Sequence, residues 1–342
     1  MKQCEESVHR LDFDMKRKLF ARFPIFLKKT FFWVLTLSTF VVRIKEMKNG
    51  FIDRLINGDG KERKLPLTRK QAFFYYGKEH FFKIVLVSFL SFAFFLPALI
   101  WNFLINYGKT TALAALDVES ADYLSEYSAV LLRYSLSENL VNIPLIVLGF
   151  VGLAGAFAII KRAVFDERSN FATYFEGIKE NWLYFLTAGI IYGVSAFFLM
   201  FDITYFAVAD FHPVIKGLFT GVGVLQFVIV NSIIAFFCTG VSVYKYKIAA
   251  ALKNSLLLTF SRLIKSCVFS IICLSPAAVL AFIPSPYQIV GISAYSLFYI
   301  GYAVLAETCY CNYVYDEEIN PVLGKNCVGR GLCKEEEECP KR

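Results

Sequence analysis

Side chains able to do chemistry are sparse in this chain. Histidine occurs three times, at His9, His80 and His212. The His-Glu-x-x-His zinc helix, the Gly-rich phosphate loop ending in Lys-Ser/Thr and the Gly-x-Ser-x-Gly nucleophile elbow are all missing from the sequence. The two glycines within Asn57 to Lys61 lack a strand-loop-helix context and read as a plain turn. The 9 cysteines crowd toward the end, with Cys309, Cys311, Cys327, Cys333 and Cys339 in the tail. Thiolates there could bind zinc or sense redox state. The spacings after Cys311 form no Cys-x-x-Cys pair and lie near no histidine, so a solvated acidic tail around Glu335 to Glu338 is expected instead. These patterns predict a protein that is not an enzyme and carries no metal and no cofactor.

A different chemistry attaches to polar groups and helix breakers set within apolar runs. Gln226 and Asn231 are strongly polar inside such a run and stand about 140° apart round a helix, which suits hydrogen bonds to neighbouring helices. Pro97 and Pro276 each remove a backbone hydrogen bond, producing either a packing kink or a solute site at a broken helix. Gly149, Gly152 and Gly155 recur every third residue and predict close helix packing, with a solute path along the same face as the alternative. Asp202, Asp210, His212 and Lys216 group near one span end, as an outward polar mouth or as interfacially solvated side chains. Ionisable groups inside the spans are otherwise nearly absent, which speaks against proton-coupled transport.

The elements that position these residues follow from composition. Of 342 residues, 57% are hydrophobic, 17% aromatic and only 19% charged, too apolar for soluble domains. Six apolar stretches are long enough to cross a hydrocarbon core: Phe81 to Tyr107, Leu140 to Ile160, Trp182 to Ala209, Gly217 to Tyr244, Ser266 to Ile283 and Tyr287 to Ala306. The expected fold is an all-α polytopic membrane bundle of six spans. They are read as three hairpins, each begun by a short amphipathic helix, because Ala72 to Phe81 resembles Thr173 to Trp182.

The net charge of +8 would suggest nucleic acid in a soluble chain, but here it orients the protein in a membrane. Of the 36 Lys and Arg, 32 fall in residues 1–80, 161–181, 245–265 and 307–342, and only Lys109, Arg133 and Lys216 fall in the intervening loops. Basic residues near span ends stay cytoplasmic, so both termini are expected inside and the acidic loop 108–139 outside, in the cell membrane. Residues 1–80 then form a basic interfacial region able to hold anionic lipid headgroups, 81–306 the membrane domain, and 307–342 a cytoplasmic tail. Thr30 to Val42 is apolar, yet a seventh span there would carry eight basic residues outward, so an interfacial helix is preferred. The charged start has no secretory signal.

Asn139 to Pro144 leads into the glycine-bearing span; Lys161-Arg162 and Asp166-Glu167 then precede Phe171 to Trp182, with Phe175, Lys179 and Asn181. Over 139–265 this resembles the YesL-type family of bacterial multipass membrane proteins, a domain family of unknown function. The resemblance implies a cytoplasmic-membrane protein linked to carbohydrate uptake and supplies no catalytic residues.

Two functions are compatible with these features. One is a non-enzymatic accessory or scaffold whose basic face engages a membrane-protein partner, with no nucleic acid involved. The other is a small-solute transporter or channel, with Pro97, Pro276, Gln226 and Asn231 along the path and Tyr295, Tyr299 and Tyr302 against a sugar-like substrate.

Overall fold

The computed structural model describes residues 66–165, 169–244, 246–282, 291–292, 295–323 and 327–332. The readings made of residues 1–65 and of Cys333 and Cys339 lie outside them. Among the described residues the fold is all-helical, without strands. Helix α1 (Arg69–Glu79) is followed by four long helices, α2 (Phe81–Ala114), α3 (Tyr123–Val164), α4 (Phe171–Val208) and α5 (Pro213–Val243). A bent pair, α6 (Ile248–Ser261) and α7 (Leu263–Phe282), comes next. A π-helical turn at Tyr295–Tyr299 then runs into α8 (Ile300–Glu318), and a single turn, α9 (Asn320–Leu323), completes the order.

Helices α2 to α5 are each long and apolar enough to cross a membrane, and α6 with α7 makes a fifth if the pair, bent by 101°, is counted as one broken span. These four helices exceed what crossing requires. The 42 residues of α3 extend about 63 Å at 1.5 Å each, roughly twice a hydrocarbon core. The segment 108–139, read from sequence as a loop, is therefore mostly helix, with its turn confined to residues 115–122. Its serines, threonines and asparagines fold back on the carbonyl one turn earlier: Asn106 on Asn102, Thr110 on Asn106, Thr111 on Tyr107 and Ser128 on Leu124. Such bonds let a polar segment continue a helix that apolar residues began.

The amphipathic entry helices also differ from one another. Helix α1 is separate, started by the Thr68 hydroxyl accepting from the Gln71 amide and ended at His80. The corresponding Phe171 to Trp182 segment is continuous with its span, and Asn170 and Thr173 form a capping box at its start. At the opposite end of that hairpin His212 caps α5 through its ring nitrogen, with Pro213 as the first helical residue. This is a local structural role for one member of the expected polar mouth.

The most extensive packing joins α3 to α4 rather than the partners within either hairpin. Without a hydrophobic force between helices in lipid, close backbone approach decides which pair packs best. Gly189-Ile-Ile-Tyr-Gly193 supplies it: a Cβ at Gly189 would lie 2.8 Å from the Val147 Cα, and one at Gly193 3.3 Å from the Ile143 Cα. Farther along, a Cβ at Gly177 would lie 2.3 Å from that of Ala158. The fully buried Tyr174 locks this seam, donating to the Gly152 carbonyl at 2.8 Å.

One end of the bundle, where α1 begins and α3 ends, is tied by charge. Arg69 pairs with Asp316 at 2.9 Å, both side chains largely buried. The other Asp316 oxygen accepts from the Gly329 amide and from Asn320, which in turn accepts from the Tyr244 hydroxyl. Residues 327–332 dock there: Tyr76 donates to the Gly331 carbonyl at 2.8 Å and the Arg330 guanidinium sits 4.8 Å from the Phe165 ring centre. Arg262, at the α6–α7 bend, bridges Glu317 at 2.5 Å and Glu318 at 2.7 Å, so α8 holds the bend in place. Hydrogen bonds from the Tyr313 hydroxyl and from Arg262 keep the Glu317 carboxyl below the usual carboxylate range.

Candidate functional site

Six helices surround a cavity of about 400 Å³. Its walls come from α2 (Phe95, Leu99, Asn102), α3 (Phe150, Phe157), α4 (Tyr192), α5 (Asn231, Cys238), α7 (Cys273, Leu274) and the π-helical turn with α8 (Tyr295, Tyr299, Glu307). Such a volume suits a small molecule, and a mostly apolar wall with a few convergent polar groups is the usual make-up of a ligand site.

Each polar group is placed by a packing feature. Asn231, buried on α5, donates to the Ser270 hydroxyl at 3.2 Å, and Ser270 also lies 2.7 Å from Ser232. Asn102 accepts from Asn142 at 2.7 Å, bracing α2 against α3. The wider π-helical turn brings the Tyr295 and Tyr299 rings to 4.6 Å between centres, both on the cavity. The Tyr299 hydroxyl is buried with no hydrogen-bond partner among the described residues. Tyr192 is held by Phe150 and Phe227, with ring centres 5.1 and 5.2 Å away.

Glu307 is the distinctive member. Its side chain opens onto the cavity and makes no hydrogen bond or ion pair with any described residue, and no described Lys, Arg or His lines the wall. Charge in such surroundings is costly unless neutralised by protonation or by a bound counter-ion. Position 307 was read from sequence as the first residue of the tail, because a carboxylate ends an apolar run. Helix α8 instead continues without a break to Glu318 and carries Glu307 into the bundle. A signal was present in the string Ala303 to Tyr315, where Glu307 is the single charged residue.

The other expected site residues distribute differently. Asn231 lines the cavity, whereas Gln226, one and a half turns earlier on α5, is exposed on the outer surface and makes no hydrogen bond with the described residues. Among the described residues Gln226 thus has no interhelical bond of the kind expected, because its face of α5 is exposed. Pro97 and Pro276 sit inside α2 and α7, beside the lining residues Ala98 and Ala277, but do not themselves line the cavity. Gly149 and Gly152 abut Phe95 and Phe94 of α2, where an added Cβ would lie 2.2 and 2.5 Å away, and Gly155 abuts Tyr174 of α4 at 2.7 Å. The three glycines thus lie at helix contacts, and the residues between them, Phe150 and Leu153, reach the cavity. Tyr302 is not with Tyr295 and Tyr299; its hydroxyl donates to the Gly77 carbonyl at 2.9 Å.

Among the described residues no group of three or more His, Cys, Asp or Glu side chains is arranged to hold a metal ion. No family model matches this chain, and no curated protein and no solved structure is significantly similar to it.

Proposed function

We propose that this protein is a six-span integral protein of the cell membrane, with both termini cytoplasmic, that carries a small solute through the cavity around Glu307. The observation supporting this reading is the cavity itself, which has polar groups from five helices and a carboxyl without a partner among the described residues. A bundle serving only as a scaffold has no need of such a void, because each unfilled space forfeits packing contacts. The fifth and sixth crossings are α7 and the stretch ending in α8. A place among YesL-type membrane proteins and the attraction of anionic lipid to the basic region 1–80 belong to the same proposal. A partner protein is not required by it.

Carriage is tested by uptake into proteoliposomes, using small neutral, anionic and cationic solutes and an Ala303→Phe variant whose new ring fills the cavity. At least one solute class is expected to enter faster with the wild-type protein than with the variant, provided both elute as a single folded species. Equal uptake of every class by both proteins refutes carriage.

Orientation has its own test. An impermeant thiol reagent applied to intact cells is expected to label Ser125→Cys, at an exposed position on the first turn of α3, and to spare the native Cys333. Labelling of Cys333 from outside would reverse the orientation.

A further inference from the structure

Resting on the reading of this cavity as a solute site, we propose that its ligand is a small lipophilic organic monocation, held by the Glu307 carboxylate and exchanged there for a proton. Three properties of the wall select that class. Among the described residues Glu307 is the one acidic group on it and no basic side chain offsets it, so the wall has room for one positive charge. The aromatic faces of Tyr192, Tyr295 and Tyr299 lie on the same cavity, and such faces attract a desolvated cation. The remaining wall is mostly Phe, Leu, Ile, Val and Ala, with Asn102, Asn231, Cys238 and Cys273 among them. Among the described residues no three His, Cys, Asp or Glu side chains come together as a metal cation would need. A sugar, the ligand class weighed from sequence for the transporter reading, carries no charge to match the Glu307 carboxylate.

The exchange balances in atoms and charge. In the proposed exchange Glu307 carries a proton while the cavity holds no cation. On binding, the O–H bond of that carboxyl breaks, one proton leaves to water, and the carboxylate pairs with the incoming cation. The site stays neutral before and after. The titratable groups facing Glu307 are Tyr192 from α4, Cys238 from α5, Cys273 from α7, Tyr295 and Tyr299 from the π-helical turn, and Cys311 on its own helix. All of these are neutral as acids, and α2 and α3 present none, so the proton count belongs to Glu307. A cation that prefers the ionised form must bind more tightly as pH rises, until Glu307 is ionised in the empty protein as well.

The test uses full-length protein in lipid nanodiscs, with empty nanodiscs subtracted, and isothermal titration with benzyltrimethylammonium, benzyl alcohol and benzenesulfonate. Running each titration in two buffers of different ionisation enthalpy counts the protons released. The cation is expected to bind with release of a proton and with affinity that rises with pH. Glu307→Gln is expected to weaken it by about 30-fold or more and to abolish both proton release and pH dependence. Glu307→Asp, which keeps the acid, is expected to retain proton release and so excludes misfolding as the cause. Cation binding of equal strength in Glu307→Gln, or no cation binding to the wild type, overturns the inference. Benzyl alcohol binding as tightly as the cation and independently of pH overturns it too. If any of these occurs while some other solute still separates wild type from Ala303→Phe in the uptake assay, carriage stands and only the ligand class is wrong.

Discussion

Asp316→Ala is expected to destabilise the folded protein by about 3–5 kcal/mol, because it strands a guanidinium that is already out of water. The Arg69 side chain is 5% exposed and that of Asp316 13%, so solvent cannot substitute for the lost partner. The same change removes the acceptor for the Gly329 amide and for Asn320, which loosens the hold on residues 327–332. Thermal unfolding in mild detergent would register the loss as a lowered midpoint. The double variant Arg69→Met with Asp316→Leu should recover much of it, since apolar groups of similar size often replace a buried pair without penalty. A single variant within about 1 kcal/mol of the wild type would mean that water screens the pair as it does at a surface.

Gly301→Leu is expected to prevent assembly of α8 against α2, and Gly301→Ala to cost about 1–3 kcal/mol by overpacking. A Cβ at Gly301 would lie 2.4 Å from the Ile84 carbonyl oxygen and 2.7 Å from the Ser88 hydroxyl, which itself accepts from the Gly301 amide at 2.7 Å. Backbone cannot yield as a flexible side chain can, so α8 must move, and with it Ala303 and Glu307 on the cavity wall. Gly217→Ala and Gly221→Ala serve as controls, since an added Cβ at either meets nothing within 4 Å. Yield of monodisperse protein and the unfolding midpoint separate the cases. A Gly301→Leu protein as stable as the controls would show that the crossing is not tight.

The dependence of the cavity on such contacts explains what each level of description contained. The all-helical class and the presence of long helices α2 to α5, apolar enough to cross a membrane, follow from the sequence alone. Leaving water is an additive property of about 20 consecutive side chains, and averaging over a window reads it correctly. Helix ends were less legible. The helical arms within 108–139 carry polar residues whose side chains bond to their own backbone, and hydropathy cannot distinguish these from a loop. The pairing of α3 with α4 was written in Gly189 and Gly193, but a small residue becomes a contact only when another backbone stands opposite.

Which polar residue faces inward was decided by the tertiary structure. Gln226 and Asn231 are alike in composition and share one helix, yet one is exposed and the other lines the cavity, because rotation about the helix axis is set by the neighbours α5 packs against. Glu307 makes the same point with a charge. In a window average it marks the end of a span, whereas in the folded bundle it stands on the wall of a cavity built by residues as distant in sequence as Phe95 and Cys273. Its environment, and hence its chemistry, is a sum over groups that only folding brings within a few ångströms.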